Sequence, residues 1–168
     1  MSARVYSSAK YLDTNDPHYV DKMTKHNPSE SLSKPWVKDF LAEPILARLG
    51  TANPKSAQPH VTPVWFLWDG ESLYISAFIS TRKAREATAN PLISVLIDQD
   101  KPTRAVILEG KAEVLSDQAQ VAPLAEAIYA RYVGAEGVKE QTYQSWVFDA
   151  ENRIIKLTPS RAYALSWE

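Results

Sequence analysis

The sequence predicts a mainly β, α+β domain in which an antiparallel barrel or sheet is flanked by helices. Three observations carry this. Short segments rich in β-branched and aromatic residues recur along the chain, Asp69-Gly70 joins two of them as a hairpin, and no regular strand–helix–strand alternation points to a parallel sheet. The chain has 168 residues, 45% apolar and 23% charged, which suits one well-buried core and is too short for two typical domains.

Residues 1–33 are polar and lack a sustained period, so they read as an extended N-terminal arm, with the domain in 34–168. Tyr6, Tyr11 and Tyr19 suggest that the arm lies on an apolar surface, as a cover or as a lid. Ser33 with Pro35 starts a helix, Trp36, Val37, Phe40 and Leu41 form its apolar stripe, and Pro44 stops it. Ile45 to Thr51 is a short strand, followed by a turn segment from Ala52 to Pro59. His60 to Trp68 reads as one strand, Asp69-Gly70 as a tight type I′ turn, and Leu73 to Ile79 as its antiparallel partner.

A helix from Thr81 to about Ala89 ends at Asn90-Pro91, because the residue before proline avoids the helical region. Leu92 to Ile97 is almost continuously apolar, hence a strand buried on both faces. Ala105 to Leu115 starts the same way and then alternates; Gly110 within it marks a bulge or the close approach of another group. Val121, Leu124, Ala125, Ile128 and Tyr132 form a second helical stripe closed by Gly134, and Tyr143, Trp146 and Val147 mark a shorter helix or turn. Two apolar segments, Arg153 to Leu157 and Ala162 to Trp167, finish the chain.

Net charge is −1 and the pI is near 6.3, so no global basic field gathers nucleic acid or an anionic membrane. There is no cysteine, which excludes disulfides, thiolate metal sites and a thiol nucleophile, and fits a cytoplasmic protein. Met1 to Lys10 lacks the apolar core of a signal peptide, and no apolar run approaches the roughly 18 residues that span a bilayer. No catalytic constellation stands out. His60, among apolar strand neighbours, reads as structural or hydrogen-bonded rather than as a metal or haem ligand; His18 and His26 have no carboxylates at ligand spacing. Asp98 and Asp100 read as solvated acids at a strand end, and five glycines leave no glycine-rich nucleotide fingerprint. Of the Trp65, Phe66 and Trp68 cluster, one face reads as core and the other as a wall for a flat ring or a subunit contact.

One pattern does carry chemistry. Ser80-Thr81-Arg82-Lys83 opens a helix directly after a strand, where unpartnered backbone N–H groups and the helix dipole favour an anion. Arg82 and Lys83 oppose the usual preference of a helix start for acidic residues, a local conflict expected at a functional site.

Pro59-His60-Val61-Thr62-Pro63-Val64-Trp65-Phe66-Leu67-Trp68-Asp69-Gly70, then Ser80-Thr81-Arg82-Lys83-Ala84-Arg85, Asn90-Pro91 and Leu108-Glu109-Gly110-Lys111-Ala112-Glu113-Val114, resembles the pyridoxamine 5′-phosphate oxidase-like family. The resemblance implies a six-stranded antiparallel split β-barrel with flanking helices, an FMN-binding split barrel, homodimeric, with flavin-type cofactors at the subunit interface. It implies that Ser80, Thr81, Arg82 and Lys83 grip the cofactor phosphate, and that Thr62, Pro63, Val64 and Trp65 run along the ring. The function implied is an FMN-dependent oxidoreductase passing two electrons between the cofactor and a small organic substrate, with the protein supplying position and electrostatics. The alternatives are a reductase using the deazaflavin coenzyme F-420, which the Thr62 to Phe66 stretch resembles equally, and a non-enzymatic flavin- or haem-binding protein. No metal, nucleic acid or membrane partner is expected, and catalytic residues of the protein's own are unassigned.

Overall fold

The computed structural model describes residues 28–167. The arm up to residue 27, with Tyr6, Tyr11, Tyr19, His18 and His26, lies outside the described residues. Its last stretch is not extended: Pro28–Leu32 is a short helix (α1). The helix expected next is present as α2 (Pro35–Ala42), with Pro35 in its first turn and Val37, Phe40 and Leu41 buried.

Strands β1 (Ala47–Ala52), β2 (Pro59–Val64), β3 (Leu67–Trp68) and β4 (Leu73–Phe78) lead into α3 (Arg82–Ala89); β5 (Leu92–Gln99) and β6 (Thr103–Leu115) follow. Helices α4 (Gln118–Gly137) and α5 (Gln141–Val147) precede β7 (Asn152–Leu157) and β8 (Arg161–Trp167). All strand pairings are antiparallel, in the order β2-β1-β5-β6-β7-β4-β3, with β8 also on β6. The sheet curls into a half-barrel flanked by helices, with eight strands among the described residues where six were expected. No described helix is long and apolar enough to cross a membrane.

The extra count arises where His60 to Trp68, expected as one strand, is cut. β2 pairs with β1 up to Val64, and β3 pairs with β4 from Leu67, so Trp65 and Phe66 leave the ladder between two halves of the sheet. Leaving a ladder strands a backbone donor. Here the Phe66 N–H donates to the Tyr132 hydroxyl at 3.1 Å, and that hydroxyl donates to the Ile45 carbonyl at 2.8 Å. The hairpin turn also differs from a two-residue type I′. Trp68 pairs with Leu73 across a four-residue loop, in which Asp69 Oδ1 accepts from the Glu71 and Ser72 N–H groups at 2.8 and 2.7 Å. The side chain of Asp69 therefore does the work expected of its backbone.

β6 is the hinge of the sheet. Its first part lies between β5 and β8, and Ala112 to Leu115 pair with β7. Gly110 sits at the handover, where a Cβ would lie 3.1 Å from Leu157 Cδ1 and 3.2 Å from both Ser160 N and Thr158 O; the close approach signalled by a mid-strand glycine is there. β5 departs from expectation. Ile93, Val95 and Ile97 are buried, but Leu92 is 61% exposed, so among the described residues only one face of the strand is fully covered.

Two apolar layers result. One fills the half-barrel with Phe40, Phe66, Ile75, Val95, Leu108 and Leu157 among others; the second lies between the sheet and α4–α5, with Val121, Ile128, Val147 and Ile154. Consecutive Ile154 and Ile155 are both fully buried because they serve different layers. The α4 stripe is as read, and Gly134, at φ 82°, interrupts its helical path. Arg131 of α4 reaches across to the C-terminal end of α2, donating to the Leu41 carbonyl at 2.7 Å and to that of Glu43, with its guanidinium 4.3 Å from the Phe66 ring centre.

Tyr132→Phe removes the partner of two backbone groups, so unfolding free energy should fall by about 1–3 kcal/mol in denaturant titration. Gly110→Ala should also destabilise, by about 1–3 kcal/mol, since two of the crowding atoms are backbone and cannot rotate away.

Candidate functional site

The turn from β4 into α3 contributes Thr81 and Lys83 to the lining of a cleft. Thr81 is the N-cap, but its hydroxyl and its N–H both donate to the Phe78 carbonyl, at 2.7 and 2.9 Å. It thus tightens the turn and leaves the first-turn N–H groups of α3 without a side-chain cap. Lys83, in that first turn, is half-buried and forms no ion pair or hydrogen bond among the described residues; burial holds its ammonium below the usual lysine value. A desolvated cation beside uncapped N–H groups is suited to a bound anion.

Arg82 behaves differently. Its Nε donates to Glu86 Oε1 at 2.8 Å, one turn on, and the Glu86 side chain is only 6% exposed. Glu86 Oε2 accepts from the Thr51 hydroxyl at 2.6 Å and lies 3.6 Å from His60 Nδ1. The Thr51 hydrogen bond foremost, then the Arg82 bond and charge, hold the Glu86 carboxyl below the usual range. His60, read as a hydrogen-bonded residue, is in this cluster, with Nδ1 3.5 Å from the Thr51 hydroxyl.

From Lys83 and Thr81 the cleft, about 450 Å³, runs along Pro63, Val64 and Trp65. Ser76, Tyr129 and Trp146 complete its lining. Trp65 is held rigidly: its ring stacks on Tyr132 at 4.7 Å and 3° and meets Tyr129 edge-on at 6.1 Å. Tyr129 in turn meets Trp146 edge-on at 6.0 Å. Five of the eight residues expected at the site, Pro63, Val64, Trp65, Thr81 and Lys83, line this one cleft. Thr62, opposite Leu49 in the β1–β2 ladder, exposed Ser80, and Arg82 flank it without lining it. Trp68 packs on the half-barrel core instead.

Sequence reading missed Ser76, Tyr129 and Trp146 as a wall, and Glu86 as the anchor of Arg82. Ser76 had a signal, being a polar residue in an apolar strand; Glu86 is placed by the register of β1 against α3, which no local pattern encodes. A second hollow of about 440 Å³ lies over β1, β2, β5 and β6, lined by Gly50, His60, Ser94, Glu109 and Arg161 among others. There Arg161 lies 3.8 Å from Glu109, so it lacks the uncompensated cation that distinguishes the first cleft.

An antiparallel half-barrel with flanking helices and this strand order is a split-barrel protein. The chain belongs to the pyridoxamine 5′-phosphate oxidase family, whose profile matches residues 33–166. No curated protein sequence matches it. Among solved structures it is similar to a conserved hypothetical protein from Mycobacterium tuberculosis, with 21% identity over 80% of this chain and 84% of that one, TM-score 0.68. An F-420 reductase is 26% identical over 74% of this chain and 94% of that one, TM-score 0.61. A flavocytochrome from Azotobacter vinelandii is 19% identical over 83% and 67%, TM-score 0.62.

Because the folded-state value of Glu86 is depressed, its contribution to stability is whole above the ordinary carboxylate range and drains away as pH falls through the lowered value. Glu86→Gln should therefore flatten the acid limb of a plot of denaturation midpoint against pH, leaving a smaller difference between the two proteins at the acid end than at neutral pH.

Proposed function

We propose that this chain is an FMN-binding oxidoreductase, a cytoplasmic homodimer that passes two electrons between its cofactor and a small conjugated organic molecule. The observation that carries the reading is Lys83, a partly desolvated cation without a partner among the described residues, beside the uncapped start of α3 and in the lining of an apolar, aromatic-walled cleft. In this reading the phosphate rests at Thr81 and Lys83, with Ser80 and Arg82 beside it. Glu86 holds the Arg82 side chain in place before any ligand arrives. The ring lies along Thr62 to Trp65. A bound flavin supplies the redox chemistry; the protein's part is to position it and to keep water from its face. Val61, Leu92 and Trp167, 66%, 61% and 59% exposed on β2, β5 and β8, belong to the face that a second copy would bury.

A second reading, a reductase using the deazaflavin coenzyme F-420, is favoured by the 26% identity to an F-420 reductase. Both cofactors bring an anion and a flat ring, so absorbance after reconstitution separates them, and a Soret band would instead mark haem binding.

Lys83→Met tests the carrying observation. The ligand-free variant should melt no lower than the parent, since the desolvated cation is gone, while FMN affinity by fluorescence titration should drop about 10- to 100-fold, as expected for a lost charge-assisted hydrogen bond. Equal affinity in variant and parent would overturn the phosphate assignment. A monomer in light scattering of the flavin-loaded protein would overturn the dimer.

A further inference from the structure

Two lining residues of the cleft, Ser76 and Tyr129, belong to a hydrogen-bond relay whose direction is set by a backbone carbonyl. Asn152, fully buried, donates from Nδ2 to the Trp146 carbonyl at 2.9 Å. A carbonyl only accepts, so the orientation of the amide is determined and Oδ1 must point at Ser76, 2.8 Å away. An amide oxygen also only accepts. Ser76 must therefore spend its one proton on Asn152. The Ser76 oxygen then stands 2.7 Å from the Tyr129 hydroxyl, a contact that needs a proton, and the only proton left is that of Tyr129.

Tyr129 is thus a donor to the protein and has lone pairs alone to offer the cleft that it and Ser76 line. Burial holds its hydroxyl above the usual tyrosine value, which keeps it neutral and the relay intact at physiological pH. Around it the cleft is apolar and aromatic, with Trp65 and Trp146 edge-on to its ring. A group placed against that oxygen loses its water, and it recovers a hydrogen bond only if it brings a proton of its own.

We propose that Tyr129 is a specificity-determining acceptor that selects, on the edge of a flat conjugated ring bound in the cleft, an N–H or O–H donor over an acceptor or an alkylated position. The inference deepens the proposed function by naming the chemistry its ring site reads. The donor belongs to the cofactor ring or to the substrate.

Two matched pairs of probes distinguish these sources in direct binding titrations that follow tryptophan fluorescence. FMN against 3-methyl-FMN removes a donor from the cofactor; 2-naphthol against 2-methoxynaphthalene removes one from a substrate-like ring. In the parent protein the donor member of at least one pair should bind about 3- to 10-fold more tightly than its methylated mate. Tyr129→Phe should bring that ratio close to one. Ser76→Ala, which frees the Tyr129 proton to turn into the cleft, should lower the ratio while keeping the hydroxyl, a result that loss of packing alone does not produce. A ratio that is the same in the parent and in Tyr129→Phe for both pairs overturns the proposal. Naphthol discrimination without FMN binding would keep Tyr129 as the selector and overturn the FMN reading instead.

Discussion

The hydroxyl of Tyr132 is the contact on which the architecture turns. It accepts from Phe66 and donates to Ile45, joining α4 to the chain at the two points flanking the β1–β2 hairpin. Without such a partner, the Phe66 N–H would be a backbone donor left outside any ladder, which disfavours the cut between β2 and β3. With it, the chain crosses from one half of the sheet to the other at Trp65 and Phe66. Phe66 is driven into the half-barrel core while Trp65 is laid flat on the Tyr132 ring and faces the cleft. One hydroxyl thereby connects the sheet's division, the docking of the helical layer and the wall of the site.

Electrostatics divides the two helix-start cations into different duties. Arg82 is satisfied by a buried carboxylate, which itself is steadied by Thr51. Its arrangement runs against the favoured order of an i,i+4 pair, which places the acid first. Lys83 bears the opposite condition, a charge partly removed from water with nothing in the described chain to compensate it. Adjacent residues thus supply a rigid frame and an unfilled charge, and an anion at the start of α3 would relieve the second without disturbing the first.

Much of this was legible locally. Hairpin, helix starts and helix stops follow from Pro35, Pro44, Asp69-Gly70 and Asn90-Pro91, whose backbone preferences act over a few residues. The Ser80 to Lys83 turn stands out in the sequence as a candidate anion site because its charges contradict the helix dipole, and contradiction of a local rule is visible without a fold. The cut in the His60 to Trp68 segment was not, because its cause is a tyrosine more than sixty positions away. The exposed face of β5 was likewise hidden: an apolar run looks the same whether one face is covered or both.

Composition and local pattern therefore determined the class of fold and most of the order of its elements, and marked the start of α3 as a candidate, since these depend on periodicity, turn chemistry and charge at a helix start. Tertiary structure alone decided which strands divide, that Glu86 should anchor Arg82 while Lys83 has no partner among the described residues, and that Tyr129 lines the cleft without a proton to give. Those outcomes depend on the hydrogen-bond partners that packing brings together, and a donor's remaining capacity is known only after its neighbours have taken their share.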